Sequence, residues 1–358
     1  MERKRSVYME WAKLSSSAPF NLATSGLTNV MLAEFPLRPA ELEITGGGYG
    51  YLPLLERIAR FTGSPVDCIV SAEGTSMANH LAAATLLEPG DEVVMEQPAY
   101  GLLLDLLGYL GARVRRIERR FEDDFSISLG EMEKAITPAT RLIILTNLHN
   151  PSGAFLSVET LRSIGELAAR VGALVLVDEV YLPMLFDSAP STAFSLGQNF
   201  VVTSSLTKTY GLSGLRCGWI LAAPELAYRM WRLNDLFAAT AAHPAERMSV
   251  MAFDHLDQFR ERARDLLTTN RALLDTFLDS RADLECFRPP GGSVVFPRLP
   301  RGEPEEFFQL LREKYETAVV PGRFFEMRRH FRLGIGGETA TLKGALERLA
   351  TALDEFLA

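Results

Sequence analysis

The sequence predicts an α/β protein in which a mainly parallel central sheet, flanked by helices, is followed by a smaller α+β domain. Two observations carry this prediction. Between about residues 66 and 222, short runs rich in Val, Ile and Leu alternate with longer segments of helical periodicity, as parallel strands covered on both faces require. The chain has 358 residues, more than one core usually supports, so two domains are expected. We expect residues 1–35 to form a segment packing on the small domain, 36–255 the large domain and 256–358 the small one.

The elements follow in order. "DCIVSAEG" reads as a strand leading into the helix "TSMANHLAAATLLEPG", which ends on a Pro-Gly stop signal. "DEVVMEQ" precedes the helical "AYGLLLDLLGYLGA", and "ARVRRIER" precedes "SLGEMEKAI". "RLIILTN" is followed by "VETLRSIGELAARVGA", where Leu161, Ile164, Leu167, Ala168 and Val171 fall on one helical face. "ALVLVDEVY", "NFVVTSS" and "CGWILAA" supply three more strands. In the last third, "SVVFPRLP", "EPEEFFQLLREKYE", "TAVVPG", "FRLGIGG" and the terminal helix "TATLKGALERLATALDEFL" make the α+β unit.

Composition narrows the function. A formal charge of −8 argues against nucleic-acid binding. The longest apolar stretches are short and interrupted, which excludes a spanning helix, and no polybasic membrane patch is present. The charged start "MERKRSVYMEWAK" leads into no apolar signal region. Cys68, Cys217 and Cys286 are odd in number and widely spaced. They suit a reducing cytosol, so a cytoplasmic enzyme is expected.

Positive charge is written almost entirely as Arg: of 37 Lys and Arg residues only six are Lys. Lys208 is alone between Lys134 and Lys314, in the turn-rich stretch "SSLTKTYGLSGLRCGW". An isolated lysine is usually a solvated surface group. Here its surroundings are Ser, Thr, Gly and apolar residues, and Lys differs from Arg in that its amine can lose a proton and attack a carbonyl. Ser205 and Arg216 flank it, a hydroxyl and a guanidinium suited to a phosphate.

This stretch closely resembles the lysine signature of the class I/II, fold-type I aminotransferases, which depend on pyridoxal phosphate (PLP). Other segments resemble the family in the same order. "NLHNPSG" is similar to its Asn-Pro-Thr-Gly motif, which puts Asn150 against the cofactor O3′. "VDEVY" matches Asp-x-x-Tyr, with Asp178 pairing with the pyridine nitrogen and Tyr181 contacting O3′. "AEGTSMANHLA" opens a helix whose Gly74, Thr75 and Ser76 resemble the phosphate-binding turn. "EQPAYG" places Tyr100 to stack on the ring, and "FRLGIGG" makes Arg332 the clamp for the substrate α-carboxylate. "NLATSGL" looks like the N-terminal segment in which Gly26 lets backbone approach that carboxylate. "PPGGSVVF" and "VVPGRFF" are further landmarks, and the likeness spans roughly residues 21–336.

One segment departs from the pattern. The family usually carries a Tyr shortly before a Gly-x-x-x-Leu-Arg element, and that Tyr reaches the partner subunit's phosphate. In "EITGGGYGYLPLLERIARF", Thr45 stands near the Tyr place and Leu55 at the Arg place. Tyr49 or Tyr51 are the candidates to replace the missing Tyr.

The resemblance implies a homodimeric PLP aminotransferase that takes an amino acid and a 2-oxo acid as substrates. Lys208, Asp178 and Tyr181 would be its catalytic residues, and a Lys208 Schiff base would be displaced by the amino acid. Lys208 would then move the Cα proton to C4′, in two half-reactions with ping-pong kinetics. It equally accommodates a PLP-dependent lyase or cyclase, such as a C–S β-lyase, because cofactor residues are shared between these chemistries. A PLP-binding regulator domain is disfavoured, because only about twenty residues precede the matching region. No metal is expected.

Overall fold

The computed structural model describes residues 4–358 except 36, 38, 43 and 47. The chain opens with α1 (Val7–Leu14), β1 (Phe20–Asn21) and α2 (Leu52–Thr62). The alternating region follows as β2 (Ile69–Glu73), α3 (Gly74–Leu86), β3 (Glu92–Gln97), α4 (Gly101–Leu110), β4 (Arg113–Glu118), α5 (Leu129–Ala135), β5 (Thr140–Thr146) and α6 (Val158–Ala169). It continues as β6 (Leu174–Asp178), β7 (Phe200–Ser205), β8 (Cys217–Leu221), α7 (Pro224–Asn234) and α8 (His243–Asp254). The long α9 (Leu256–Asp279) leads to β9 (Val294–Val295), α10 (Pro304–Glu313), β10 (Thr317–Ala318), β11 (Val320–Pro321), β12 (Phe331–Gly334) and α11 (Thr339–Leu357).

The main sheet has seven strands in the order β2-β8-β7-β6-β5-β3-β4. Strands β4, β3, β5, β6 and β7 are mutually parallel. Strand β8 runs antiparallel to both β7 and β2. Segment 206–216, which joins β7 to β8, has no room for a crossover helix, and a parallel return would require one. The reversal therefore leaves a loop standing at the carboxyl edge of the sheet, and this loop carries Lys208 and Arg216.

Both faces of the sheet are buried, which is why its strands read as unbroken apolar runs. Along β5, Ile143 and Leu145 pack on one face with Leu161, Ile164 and Ala168 of α6. Leu142 and Ile144 pack on the other with Ala78, Leu81 and Ala82 of α3. Leu167 packs part-buried on the α6 side, and so does Val171, which lies past the end of the helix. Each fully buried aliphatic side chain contributes about 1.5–3 kcal/mol.

The second sheet, β11-β12-β9, is antiparallel and shares its core with α9, α10 and α11. Strand β1 pairs in parallel with β10, and Gly334 N–H donates to Leu22 O at 2.7 Å. Only glycine permits that approach, since a Cβ on residue 334 would sit 1.7 Å from Thr24 O. Gly218 of β8 plays a similar part: its Cβ would lie 2.5 Å from the Gly74 carbonyl carbon, so strand and α3 N-terminus touch by backbone.

A buried ion pair braces the carboxyl edge. Arg119 Nη1 lies 2.7 Å from Glu96 Oε2, and the two side chains are 0% and 1% exposed. The second oxygen, Oε1, accepts from Thr146 N at 2.8 Å and Thr146 Oγ1 at 2.6 Å. Thr146 Oγ1 in turn accepts from Asn150 N at 3.1 Å. Removing one partner strands the other charge, so Glu96→Ala should lose about 3–5 kcal/mol in equilibrium urea unfolding. A loss within 1 kcal/mol would show that the pair does not brace this edge.

Candidate functional site

A cavity of about 370 Å³ opens over the carboxyl ends of β5, β6 and β7, where ligands of such sheets gather. Its wall includes Thr75, Ser76, Tyr100, Asn150, Asp178, Tyr181, Ser205, Lys208 and Arg216. The remaining sequence-derived candidates, Gly26, Gly74 and Arg332, lie against this wall without forming it. A Cβ on Gly26 would meet Lys208 Cδ at 3.4 Å, and one on Gly74 would meet Arg216 Nη2 at 2.4 Å.

One end of the cavity is built for a multivalent anion. Helix α3 starts at Gly74 with no side-chain cap, leaving its first N–H groups without helical partners. Thr75 Oγ1 and Ser205 Oγ stand 2.8 Å apart. Thr207 Oγ1 is shielded from solvent and has no partner among the described residues. The exposed Arg216 bends over the turn at Gly74, whose φ is +77°, and donates to Glu73 O at 3.1 Å.

The same wall holds a buried carboxylate. Asp178 Oδ2 accepts from Asn79 Nδ2 at 2.8 Å, and Oδ1 accepts from Val180 N at 3.1 Å. Asn79 is oriented by Thr203, whose hydroxyl donates to Asn79 Oδ1 at 2.6 Å. Burial pushes the Asp178 carboxyl up to about 6, against the pull of these hydrogen bonds and of Lys208.

Lys208 is half-buried, and its Nζ donates to Ser25 Oγ at 3.1 Å. Desolvation first, and the Arg332 charge second, bring its amine down to about 8. Burial pushes the nearby Tyr181 hydroxyl up from its ordinary value. Arg332 is 1% exposed. Its Nη1 donates to Asn150 Oδ1 at 2.9 Å, and its Nη2 to Tyr8 OH at 3.1 Å and Ala23 O at 3.0 Å.

These features together make a cleft for a phosphate-bearing aromatic carbonyl compound: an anion cradle, a carboxylate for a ring cation, and an amine of lowered basicity. The family model described as "Aminotransferase class I and II" matches residues 10–349. The chain belongs to this family. It is a fold-type I enzyme of the PLP-dependent aminotransferase family, and pyridoxal 5′-phosphate is its cofactor.

Among similar aminotransferase-family proteins, capreomycidine synthase of Streptomyces vinaceus is 29% identical over 84% of this chain and 77% of its own length. Arginine–pyruvate transaminase of Pseudomonas aeruginosa is likewise 29% identical, over 85% and 80%. A PLP-dependent aminotransferase from Streptococcus suis superposes with TM-score 0.93 at 27% identity, covering 99% of both chains. The PLP-dependent cyclase OrfR superposes with TM-score 0.89 at 26% identity, covering 98% and 97%.

Sequence reasoning missed Asn79, Ser25, Thr207, Tyr8, Met9 and Lys13. Asn79 had a signal, since it stands one helical turn after Thr75 and so shares its face. Thr207 sits inside the lysine signature itself. The α1 residues had none, because only folding brings that helix over the cavity. Of the proposed replacement tyrosines, Tyr49 donates to Trp231 O at 3.0 Å and packs on that indole, while Tyr51 packs edge-on against His243. Leu55 is a core residue and Thr45 is exposed. Gly47 of the glycine run lies outside the described residues. No helix among the described residues is long and apolar enough to cross a membrane, and no metal-binding cluster occurs among them.

In cofactor-free protein, the lowered basicity of Lys208 should appear directly. Its reaction with an amine-selective reagent, followed by peptide mass spectrometry, should rise with a midpoint near pH 8 rather than 10.5. The unfolded chain keeps this proton to about 10.5 and the native state releases it near 8. Stability should therefore climb with pH across that window and fall as pH drops through 8, and Lys208→Met should remove this component. A midpoint at 10 or above would refute the desolvated amine.

Proposed function

We propose that this enzyme is an aminotransferase that moves an amino group between an amino acid and a 2-oxo acid. The observation that carries the reading is Lys208, an amine of lowered basicity that shares one cavity wall with the Thr75, Ser205 and Arg216 cradle and the buried Asp178 carboxylate. When bound, PLP supplies a carbonyl that condenses with amines and a protonated ring that accepts an electron pair. The donor set fits it. Thr75, Ser76, Ser205, Thr207, Arg216 and the backbone at Gly74 would hold the phosphate. Asp178, kept in place by Asn79, would keep the ring nitrogen protonated, Asn150 and Tyr181 would face O3′, and Tyr100 would cover the ring.

In this reading, the Lys208 amine would hold the cofactor when no amino acid is bound. With an amino acid in the site, the same amine would take the Cα proton as general base and give it back as general acid. An amine near pKa 8 suits both tasks around neutral pH. Arg332 leaves Asn150 and Tyr8 in exchange for the planar α-carboxylate, which its fork fits bidentately, and the backbone at Gly26 closes on the same group. Two consecutive half-reactions give ping-pong kinetics.

A second reading, cyclisation or elimination, is favoured by the likeness to capreomycidine synthase and OrfR. An absorbance-monitored amino-acid screen of PLP-loaded protein, with and without 2-oxo acids, separates the two. Transamination predicts one stoichiometric conversion per site without acceptor and turnover only with it. Turnover without acceptor would overturn it. Borohydride reduction should fix the cofactor on the Lys208 peptide and leave Lys208→Arg unlabelled.

We further propose a cytoplasmic homodimer. Three free cysteines fit a reducing compartment, and the exposed apolar Met31, Leu32, Ile44 and Leu52 fit a covered surface. Sedimentation equilibrium should return two chains per particle, and a monomer at micromolar concentration would refute the dimer.

A further inference from the structure

Helix α1 reaches over the cavity. Tyr8 takes a hydrogen bond from Arg332, and Met9 and Lys13, one turn apart on the same helix face, line the opening. Lys13 is exposed and makes no hydrogen bond or ion pair among the described residues. Its charge is close enough to Lys208 to oppose protonation there. Three cations line the cavity, Lys13, Lys208 and Arg216, against one carboxylate, Asp178. That carboxylate is engaged by Asn79 and Val180 N. The cofactor accounts for Lys208 and Arg216, which leaves Lys13 as the cation without a task.

We propose that Lys13 selects substrates whose side chain ends in an anionic group, a second carboxylate in the first place. The inference rests on reading the cavity as an amino-acid site with Arg332 holding the α-carboxylate. Through Tyr8, the same helix that touches Arg332 also carries Lys13 to the cavity wall. A flexible ammonium stem on that wall suits the far end of a dicarboxylate whose other carboxylate Arg332 holds. The same wall offers a cationic side chain no free carboxylate and one repelling ammonium.

The test uses PLP-loaded protein and unreactive acids, so it needs no turnover. Succinate, propionate and 4-guanidinobutyrate are titrated by calorimetry and by the shift of the cofactor absorbance, in wild type, Lys13→Gln and Lys13→Glu. Succinate should bind up to about fivefold tighter than propionate at low salt, the scale of one exposed ion pair, and the margin should shrink with ionic strength. Lys13→Gln should erase the preference and Lys13→Glu should reverse it in favour of 4-guanidinobutyrate. Tighter binding of 4-guanidinobutyrate by wild type, or an unchanged succinate preference in Lys13→Glu, overturns the role of Lys13 while the amino-acid site stands. Binding of none of the three acids overturns the amino-acid site, and the selection by Lys13 with it.

Discussion

Lys208, Asp178 and Arg332 bring an amine, a carboxylate and a guanidinium out of water into one cleft, and the rest of the structure serves that constraint. Isolated charges in such surroundings cost several kcal/mol each, so each has a dedicated partner. Ser25 accepts from the lysine, Asn79 and Val180 N hold the aspartate, and Asn150, Tyr8 and Ala23 O occupy the arginine. The charged groups and their partners come from the main-sheet unit, from the second sheet, which carries Arg332, and from the N-terminal segment. The cleft therefore forms only when all three are docked.

The carboxyl edge of the main sheet makes this docking precise. Parallel strands deliver Tyr100, Asn150, Tyr181 and Lys208 just past their ends on one side. The antiparallel return of β8 turns the Lys208 loop back so that Arg216 reaches the start of α3. Two glycines set the tolerances: Gly218 lets β8 touch the α3 N-terminus, and Gly334 lets the second sheet take the N-terminal segment by backbone. The Glu96–Arg119 pair then braces the strand ends through Thr146 to the loop of Asn150.

This division explains what could be read before folding. The main-sheet strands were legible because burial on both faces leaves an apolar run that needs no context. Leu142 to Leu145 is such a run. Residues of the cleft were legible where a motif restricts the residue type: the lysine of a Ser-, Thr- and Gly-rich turn, the aspartate of "VDEVY" and the arginine of "FRLGIGG", which the fold brings together. Ser25, Tyr8 and Lys13 carry no such restriction, and a serine, a tyrosine or a surface lysine suits many places. The suggested service of Tyr49 or Tyr51 to a neighbouring site was equally beyond local pattern, and in this chain both rings pack on their own subunit.

The sequence by itself determined the α/β class, the succession of main-sheet strands along the chain and the cofactor. Local periodicity and side-chain reactivity are properties of short segments, and they survive without a fold. Only the tertiary structure decided that Arg332 is held by Asn150 and Tyr8, that Ser25 takes the hydrogen bond of Lys208, and that α1 brings Lys13 to the opening. Those contacts join residues up to 324 positions apart, and no local pattern encodes a distance that packing alone sets.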